Sequence, residues 1–310
     1  MSMGEIDISW QALRRIVQEW AGTSAELTQI QPLHGGYINT TLALHTKDGG
    51  KSVIKVSPHR VDRSYEREAI QLTLLKSLGL PVPEVYRWKI GTLDDPVSYL
   101  LIEFIEGVDL HEAKRLCTPD QFNDLQTHLA EMVLSLHSNT SPTYLRMMEE
   151  SRTFESWPRF YHHIYDTIWH DTEKSPLLPK GARKQIAKIH ENLDRLIAHN
   201  DQPRLVHWDI WATNLLARPD PAGRWHISAF LDPACKYAHF EAEIAYMELF
   251  HTITPAFLKV YQQSRKLPPE YHLYRKPIYE LYPLINHLHL FGQEYVKPLA
   301  AAVERASALV

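Results

Sequence analysis

The sequence predicts an α+β chain in two parts, a sheet-based first third and a mainly helical remainder. Three observations predict it. Strand-like apolar stretches separated by glycine turns fill much of the region up to Glu106-Gly107. Helical apolar faces with start signals dominate after that point. The 310 residues are 44 % apolar and 23 % charged, which is enough for two parts with proper cores.

Taken in order, a first helix is expected from about Ser9 to Trp20. Leu33-His34-Gly35-Gly36-Tyr37-Ile38-Asn39-Thr40 then opens an alternating stretch that ends at His45, and the glycine pair reads as a turn opening a hairpin. Asp48-Gly49-Gly50 marks the next turn, and Ser52–Val56 the next strand. A helix from about Ser64 to Leu78 presents Ala69, Leu72 and Leu75 on one face, and Gly79 before Pro81 stops it. Ser98 to Ile105 reads as a buried strand, broken by Glu106-Gly107. The division is therefore placed at 1–106 and 107–310.

The second part opens with a strong helix start. Thr118 is an N-cap residue, Pro119 suits the first helical position, and Gln121 has capping-box spacing. Another helix is expected over Pro179 to His199. The apolar run into His207-Trp208-Asp209 is followed by Asn214-Leu215-Leu216, and Trp225 to Asp232 reads as a strand ending in a carboxylate. Beyond Glu241 the tail is helical and aromatic.

A formal charge of −4 supplies no electrostatic case for a nucleic-acid partner. No run of about 18 apolar residues is present, so no membrane partner is expected, and the N-terminus lacks a signal-peptide core. Cys117 and Cys235 form neither a disulfide framework nor a zinc pattern, and they fit a reducing cytoplasm. None of the eighteen histidines falls into a recognised ligand spacing, and adjacent helical residues such as His162-His163 point about 100° apart.

Asp209, Asn214 and Asp232 form a set suited to phosphoryl transfer. One carboxylate orients the acceptor hydroxyl and takes its proton, while an amide oxygen and a second carboxylate hold Mg²⁺ against phosphates. Lys55 lies mid-strand, where an ammonium needs an anionic partner. Glu68 on the following helix can be that partner; Glu66 competes, but Glu68 shares the face of Leu72 and Leu75. Gly35-Gly36 would let backbone amides approach phosphates. Each feature also has an ordinary reading. Lys55 could be an exposed edge-strand lysine, the glycine pair any hairpin turn, and Trp157, Phe160, Tyr161, Trp211 and Tyr282 plain packing.

His207-x-Asp209-x-x-x-x-Asn214 followed by Asp232-Pro233-Ala234 resembles the signature of aminoglycoside phosphotransferase-like kinases, and within them the fructosamine (ketosamine) kinases. Glu241 to Phe250, the Tyr279-Glu280-Leu281-Tyr282, Asn286-His287 and Phe291-Gly292 groups, Trp157-Pro158 and Pro81-Val82-Pro83 extend the likeness over nearly the whole chain. The resemblance implies a protein-kinase-like two-lobed fold and an ATP- and Mg²⁺-dependent kinase acting on a small-molecule acceptor, as a monomer or homodimer. It implies Asp209 as base, Asn214 and Asp232 as Mg²⁺ ligands, and Lys55 on ATP phosphates, held by Glu68. Leu101 to Phe104 would meet adenine, with Glu103 and Phe104 among the nucleotide-binding residues. Trp211, Trp208 and Glu241 would serve the acceptor. Trp208, Thr213 and Ala238 replace family glycines, and Tyr165 stands where an arginine is expected. These departures leave other acceptors open: an aminoglycoside, choline or homoserine. A non-catalytic nucleotide-binding protein is the remaining alternative.

Overall fold

In the computed structural model, which describes residues 8–33, 40–57, 62–147 and 151–310, the first helix starts at its cap. The Ser9 hydroxyl accepts the Ala12 amide at 3.2 Å, and α1 (Trp10–Ala21) buries Leu13, Ile16 and Val17. The sheet strands β1 (Leu27–Pro32), β2 (Thr40–Thr46) and β3 (Lys51–Ser57) come next, then the helix α2 (Ser64–Ser77). After it come β4 (Val85–Lys89) and β5 (Ser98–Glu103). The five strands lie in the order β1-β2-β3-β5-β4, and every pairing is antiparallel.

The register of this sheet decides where Lys55 points. Leu42 faces Ile54 and Ile54 faces Leu101, and these residues join Leu44, Val56 and Tyr99 in a core with the α1 side chains. Successive side chains in a strand alternate faces, so Val53 and Lys55 lie on the opposite face. A one-residue slip would send Lys55 into the apolar core, where its desolvation is prohibitive.

Two short elements, β6 (Val108–Asp109) and α3 (Leu110–Leu116), follow. β6 pairs with the first strand of a later hairpin, Leu215–Pro219 against Trp225–Phe230. The hairpin register shifts between Ile227 and Ala229, a bulge that aligns Phe230 with Leu215. By contacts the chain divides into Met1–Arg115 with Thr213–Pro233, and Leu116–Ala212 with Ala234–Val310. The first unit thus runs past the boundary expected at 106 and takes in the hairpin, because that hairpin completes the sheet begun by β6.

The second unit opens with α4 (Pro119–Leu136), whose capping box is formed as expected: Gln121 N–H donates to Thr118 at 3.3 Å, and Thr118 N–H donates to Gln121 at 2.9 Å. Then come α5 (Trp157–Thr172), α6 (Ala182–Glu191) and α7 (Leu193–Leu196). The single helix expected over 179–199 is broken at Asn192. Its side chain donates to the Lys188 carbonyl at 2.9 Å, competing with the helical ladder. The remaining helices are α8 (Phe240–Leu249), α9 (Pro255–Ser264), α10 (Lys276–Tyr279), α11 (Leu281–Phe291) and α12 (Val296–Ser307). α4 packs on α9, α5 on α11 and α6 on α12. A small sheet places Lys236–Ala238 between Leu145–Arg146 and Arg204–Val206. Among the described residues no helix is long and apolar enough to cross a membrane.

Trp157, Phe160 and Tyr161 are fully buried, and the Trp157 indole donates to the Tyr279 hydroxyl at 2.9 Å. Their role is core packing. Glu241 also departs from its expected role. It is 1 % exposed, and its two oxygens accept from Arg275 at 2.5 and 2.7 Å. A carboxylate so buried and paired has no face left for an acceptor. Replacing exposed Thr118 with Ala should lower stability by about 1 kcal/mol through the lost cap, read as a lower urea midpoint with turnover unchanged. Glu241→Ala leaves the Arg275 guanidinium buried and unpaired, and should cost about 3–5 kcal/mol. A thermal melt reads that loss, and an unchanged acceptor KM at low temperature would separate it from a binding role.

Candidate active site

Lys55 holds the first unit's polar centre together. Its ammonium lies 2.6 Å from Glu68 on α2 and also contacts Asp232, which follows the hairpin. Burial alone would lower the lysine's pKa, but the two carboxylates outweigh it and push the ammonium above its ordinary value. Glu66, the competing partner, is instead 2.7 Å from Arg63. The helical spacing explains the choice, since Glu68 lies one turn before the buried Leu72.

These groups line a cavity of about 330 Å³. Glu68, Glu103, Phe104, Asn214 and Asp232 share its wall with Lys55, and apolar side chains such as Val53, Ile102 and Leu216 complete it. Six of the residues expected at a nucleotide site therefore meet at one concavity. The Glu103 amide donates to the Glu84 carbonyl at 2.9 Å, and its carboxylate accepts the Glu84 amide at 3.1 Å. Glu103 thus ties the sheet edge as well as lining the cavity. Gly35 and Gly36 lie outside the described residues.

The hairpin delivers Asn214 and Asp232 side by side. Leu215 pairs with Phe230, and one step further the Leu231 amide donates to the Asn214 carbonyl at 2.8 Å. Asp232 then adopts φ 56°, in the left-handed region that Asp tolerates better than most residues. An amide oxygen and a half-exposed carboxylate are hard oxygen donors. Two carboxylates around one ammonium also leave a net negative charge beside the cavity, so the residues present fit Mg²⁺.

Asp209 lies in the second unit, on a loop braced from several sides. Its amide donates to His207 Nδ1 at 3.4 Å, so His207 braces the loop. The Tyr246 hydroxyl donates to the Asp209 carboxylate at 2.5 Å. Burial first, and then the adjoining Asp209 charge, raise the Tyr246 pKa and keep that donor protonated.

Trp208 has φ 73°, which is uncommon for a bulky residue. This conformation accounts for a glycine at the corresponding place in the motif. Holding a tryptophan there costs about 1–3 kcal/mol. Its amide donates to the buried Glu243 carboxylate at 2.5 Å, a charge-assisted bond of about 1.5–3 kcal/mol, comparable with the strain. Glu243 in turn accepts from His137 Nε2 at 2.7 Å, and His137 Nδ1 meets the Tyr261 hydroxyl at 2.7 Å. The carboxylate requires the hydrogen on Nε2, so Nδ1 accepts from Tyr261. The Trp208 ring has Lys236 Nζ 4.5 Å from its centre and Tyr282 edge-on at 5.5 Å. Burial and Arg146 pull the Lys236 pKa well below its usual value.

Trp211 is half-buried, with its ring edge-on to Phe250 at 6.5 Å. Tyr165, standing for the expected arginine, is fully buried, as is Ala238. Sequence reading did not single out Tyr246, Lys236 or Glu243. The available signal was the spacing of Glu243 and Tyr246, which places both on one helix face after Asp232-Pro233.

Comparisons with known proteins give the chain's family and fold. Residues 9–308 match the family model described as fructosamine kinase. The probable ketoamine kinase YniA of Escherichia coli O157:H7 is 27 % identical over 307 residues, covering 96 % of this chain and 98 % of the relative. A crystal structure of a Haemophilus somnus protein assigned as a fructosamine-3-kinase superposes with TM-score 0.74 at 22 % identity, covering 96 % of this chain and 97 % of the other. A thermostable mutant of aminoglycoside phosphotransferase APH(4)-Ia, solved with AMP-PNP and hygromycin B, gives TM-score 0.64 at 18 % identity over 96 % and 97 % of the two chains. The structural likenesses show a protein-kinase-like α+β fold. The family match spans the capped first helix, the Lys55 cluster and the Asp209 loop, and the chain belongs to the fructosamine kinase family.

Proposed function

We propose that this kinase transfers the γ-phosphoryl group of Mg²⁺-bound ATP to a sugar hydroxyl of a ketosamine, labelling glycated amines for further breakdown. The observation that carries the reading is the Lys55–Glu68–Asp232 cluster at the wall of the cavity that also contains Asn214. ATP fits this cavity by chemistry: apolar walls suit a base, and an ammonium suits phosphates. Residues 1–106 carry most of the nucleotide-binding groups, and the helical part carries the acceptor.

In the reaction the acceptor oxygen forms a bond to the γ-phosphorus as the bond to the β,γ-bridging oxygen breaks, and the hydroxyl proton passes to Asp209. Lys55 neutralises phosphate charge while Glu68 keeps it in place. Asp232 is the more exposed of the two carboxylates, with its side chain 46 % exposed against 16 % for Glu68, so it can turn to a metal while Glu68 retains the lysine. Asn214 and Asp232 would hold Mg²⁺, which when bound neutralises charge on the phosphates. Tyr246 and His207 keep Asp209 oriented.

The acceptor choice is supported by what the acidic helix does. Glu241, Glu243 and Glu248 are all engaged within the fold, with Arg275, with His137 and the Trp208 amide, and with Tyr271 and Lys276. This removes the acidic lining that a polycationic aminoglycoside would use and favours a singly charged or neutral sugar. Burial holds the Cys235 thiol up at about 12, which suits a protonated thiol in a cytoplasmic enzyme.

A panel of ketosamines, aminoglycosides, choline and homoserine in an ATP-coupled assay tests the reading; turnover on one of the others but on no ketosamine would refute it. Asp209→Asn should lower kcat by about 10²–10⁴-fold while calorimetry still records Mg²⁺–ATP binding. Trp208→Gly relaxes the left-handed position and empties the space beside Asp209. It should change the acceptor KM and leave the ATP KM as it was.

A further inference from the structure

Away from the catalytic groups, α5, α6 and the start of α7 bring together a second set of chemistry-bearing side chains. His162 and Asp166 lie one turn apart on α5, and His190 comes from α6. His162 Nδ1 is 3.1 Å from His190 Nε2, and His190 Nε2 is 2.7 Å from Asp166 Oδ1. The three ligand atoms all lie within 4.8 Å of one another. Both imidazoles are half-buried, and their rings meet at 89° with centroids 4.6 Å apart.

Hydrogen bonding alone serves this arrangement poorly. His190 Nε2 carries at most one hydrogen when the ring is neutral, yet it faces both a carboxylate and a second ring nitrogen. The other nitrogen of His162 lies 3.3 Å from Asp194. A hydrogen on Nε2 directed to that carboxylate leaves Nδ1 as a bare lone pair turned toward His190. A carboxylate holding the remote nitrogen of an imidazole is the usual support of a metal-bound histidine.

We infer that His162, Asp166 and His190 form a Zn²⁺ site with Asp194 behind it, clipping α5 to α6. Two imidazoles and a carboxylate are a borderline-soft donor set that suits Zn²⁺ and not Mg²⁺. Tetrahedral zinc with bonds of 2.0–2.1 Å separates its ligand atoms by about 3.4 Å. The observed separations of 2.7 and 3.1 Å need to open by about 0.7 and about 0.3 Å, within the reach of small side-chain rotations. Three protein ligands leave the fourth position to water. The adjacent pair His162-His163 is not the ligand pair, because one-residue spacing turns the rings apart; His162 works with the residue four further on.

Cobalt and zinc titrations of the untagged full-length protein test the site. One equivalent of Co²⁺ should give the visible bands of tetrahedral cobalt, and Zn²⁺ should displace it in the presence of excess Mg²⁺. His162→Ala and His190→Ala should each remove the bands while circular dichroism and kinase turnover show a folded enzyme. Asp194→Asn should weaken zinc by about 10- to 100-fold, and His170→Ala, on the exposed side of α5, should leave it unaltered. Absence of the bands, or bands that persist in both histidine variants, overturns the assignment and leaves a metal-free His–His–Asp hydrogen-bond cluster.

Discussion

The first unit is organised around one ammonium. Lys55 is largely withdrawn from water, and removing such a charge from solvent costs several kcal/mol unless partners repay it. Glu68 and Asp232 meet that requirement from α2 and from the end of the hairpin, so three distant stretches of sequence converge on one nitrogen. The sheet register makes this possible by turning Lys55 away from the α1 core and toward the cavity. If either the register or the hairpin bulge were changed, the carboxylates and the lysine would no longer meet.

Backbone strain falls at two of the candidate positions. Among the described residues three non-glycine positions have positive φ, and two of them are Trp208 in the second unit and Asp232 in the first. Strain of this kind persists only where surroundings over-determine it. Around Trp208 those surroundings are the buried Glu243 carboxylate, the Lys236 side chain and Tyr282; around Asp232 they are the Lys55 contact and the hairpin's last hydrogen bond. Glycine would adopt the Trp208 conformation without strain, so the tryptophan brings a ring to the Asp209 loop at an energetic cost.

The acidic helix α8 shows how charge in a sequence can mislead. Glu241 was expected at the acceptor, yet it and its neighbours Glu243 and Glu248 each have a separate internal partner: a guanidinium, a histidine with a backbone amide, and a tyrosine with a lysine. Burial requires that pairing, because an unpaired interior carboxylate is too costly to keep. The partners come from positions up to about a hundred residues away in the chain, so no local pattern announces them.

Local rules determined much of this protein from sequence alone. Alternation identified the strands and the Thr118 capping box marked a helix start, because those features depend on near neighbours in the chain. The choice of Glu68 over Glu66 was also legible, since helical periodicity places it on the buried face. Tertiary structure decided what depends on distant partners. It broke the 179–199 helix at Asn192, assigned the hairpin to the first unit, buried Glu241 against Arg275 and placed Tyr246 on Asp209. The physical reason is common to all four. A polar group is committed by whatever donor, acceptor or charge lies within about 3 Å once the chain has folded, and sequence spacing constrains that only inside one helix turn or one strand pair.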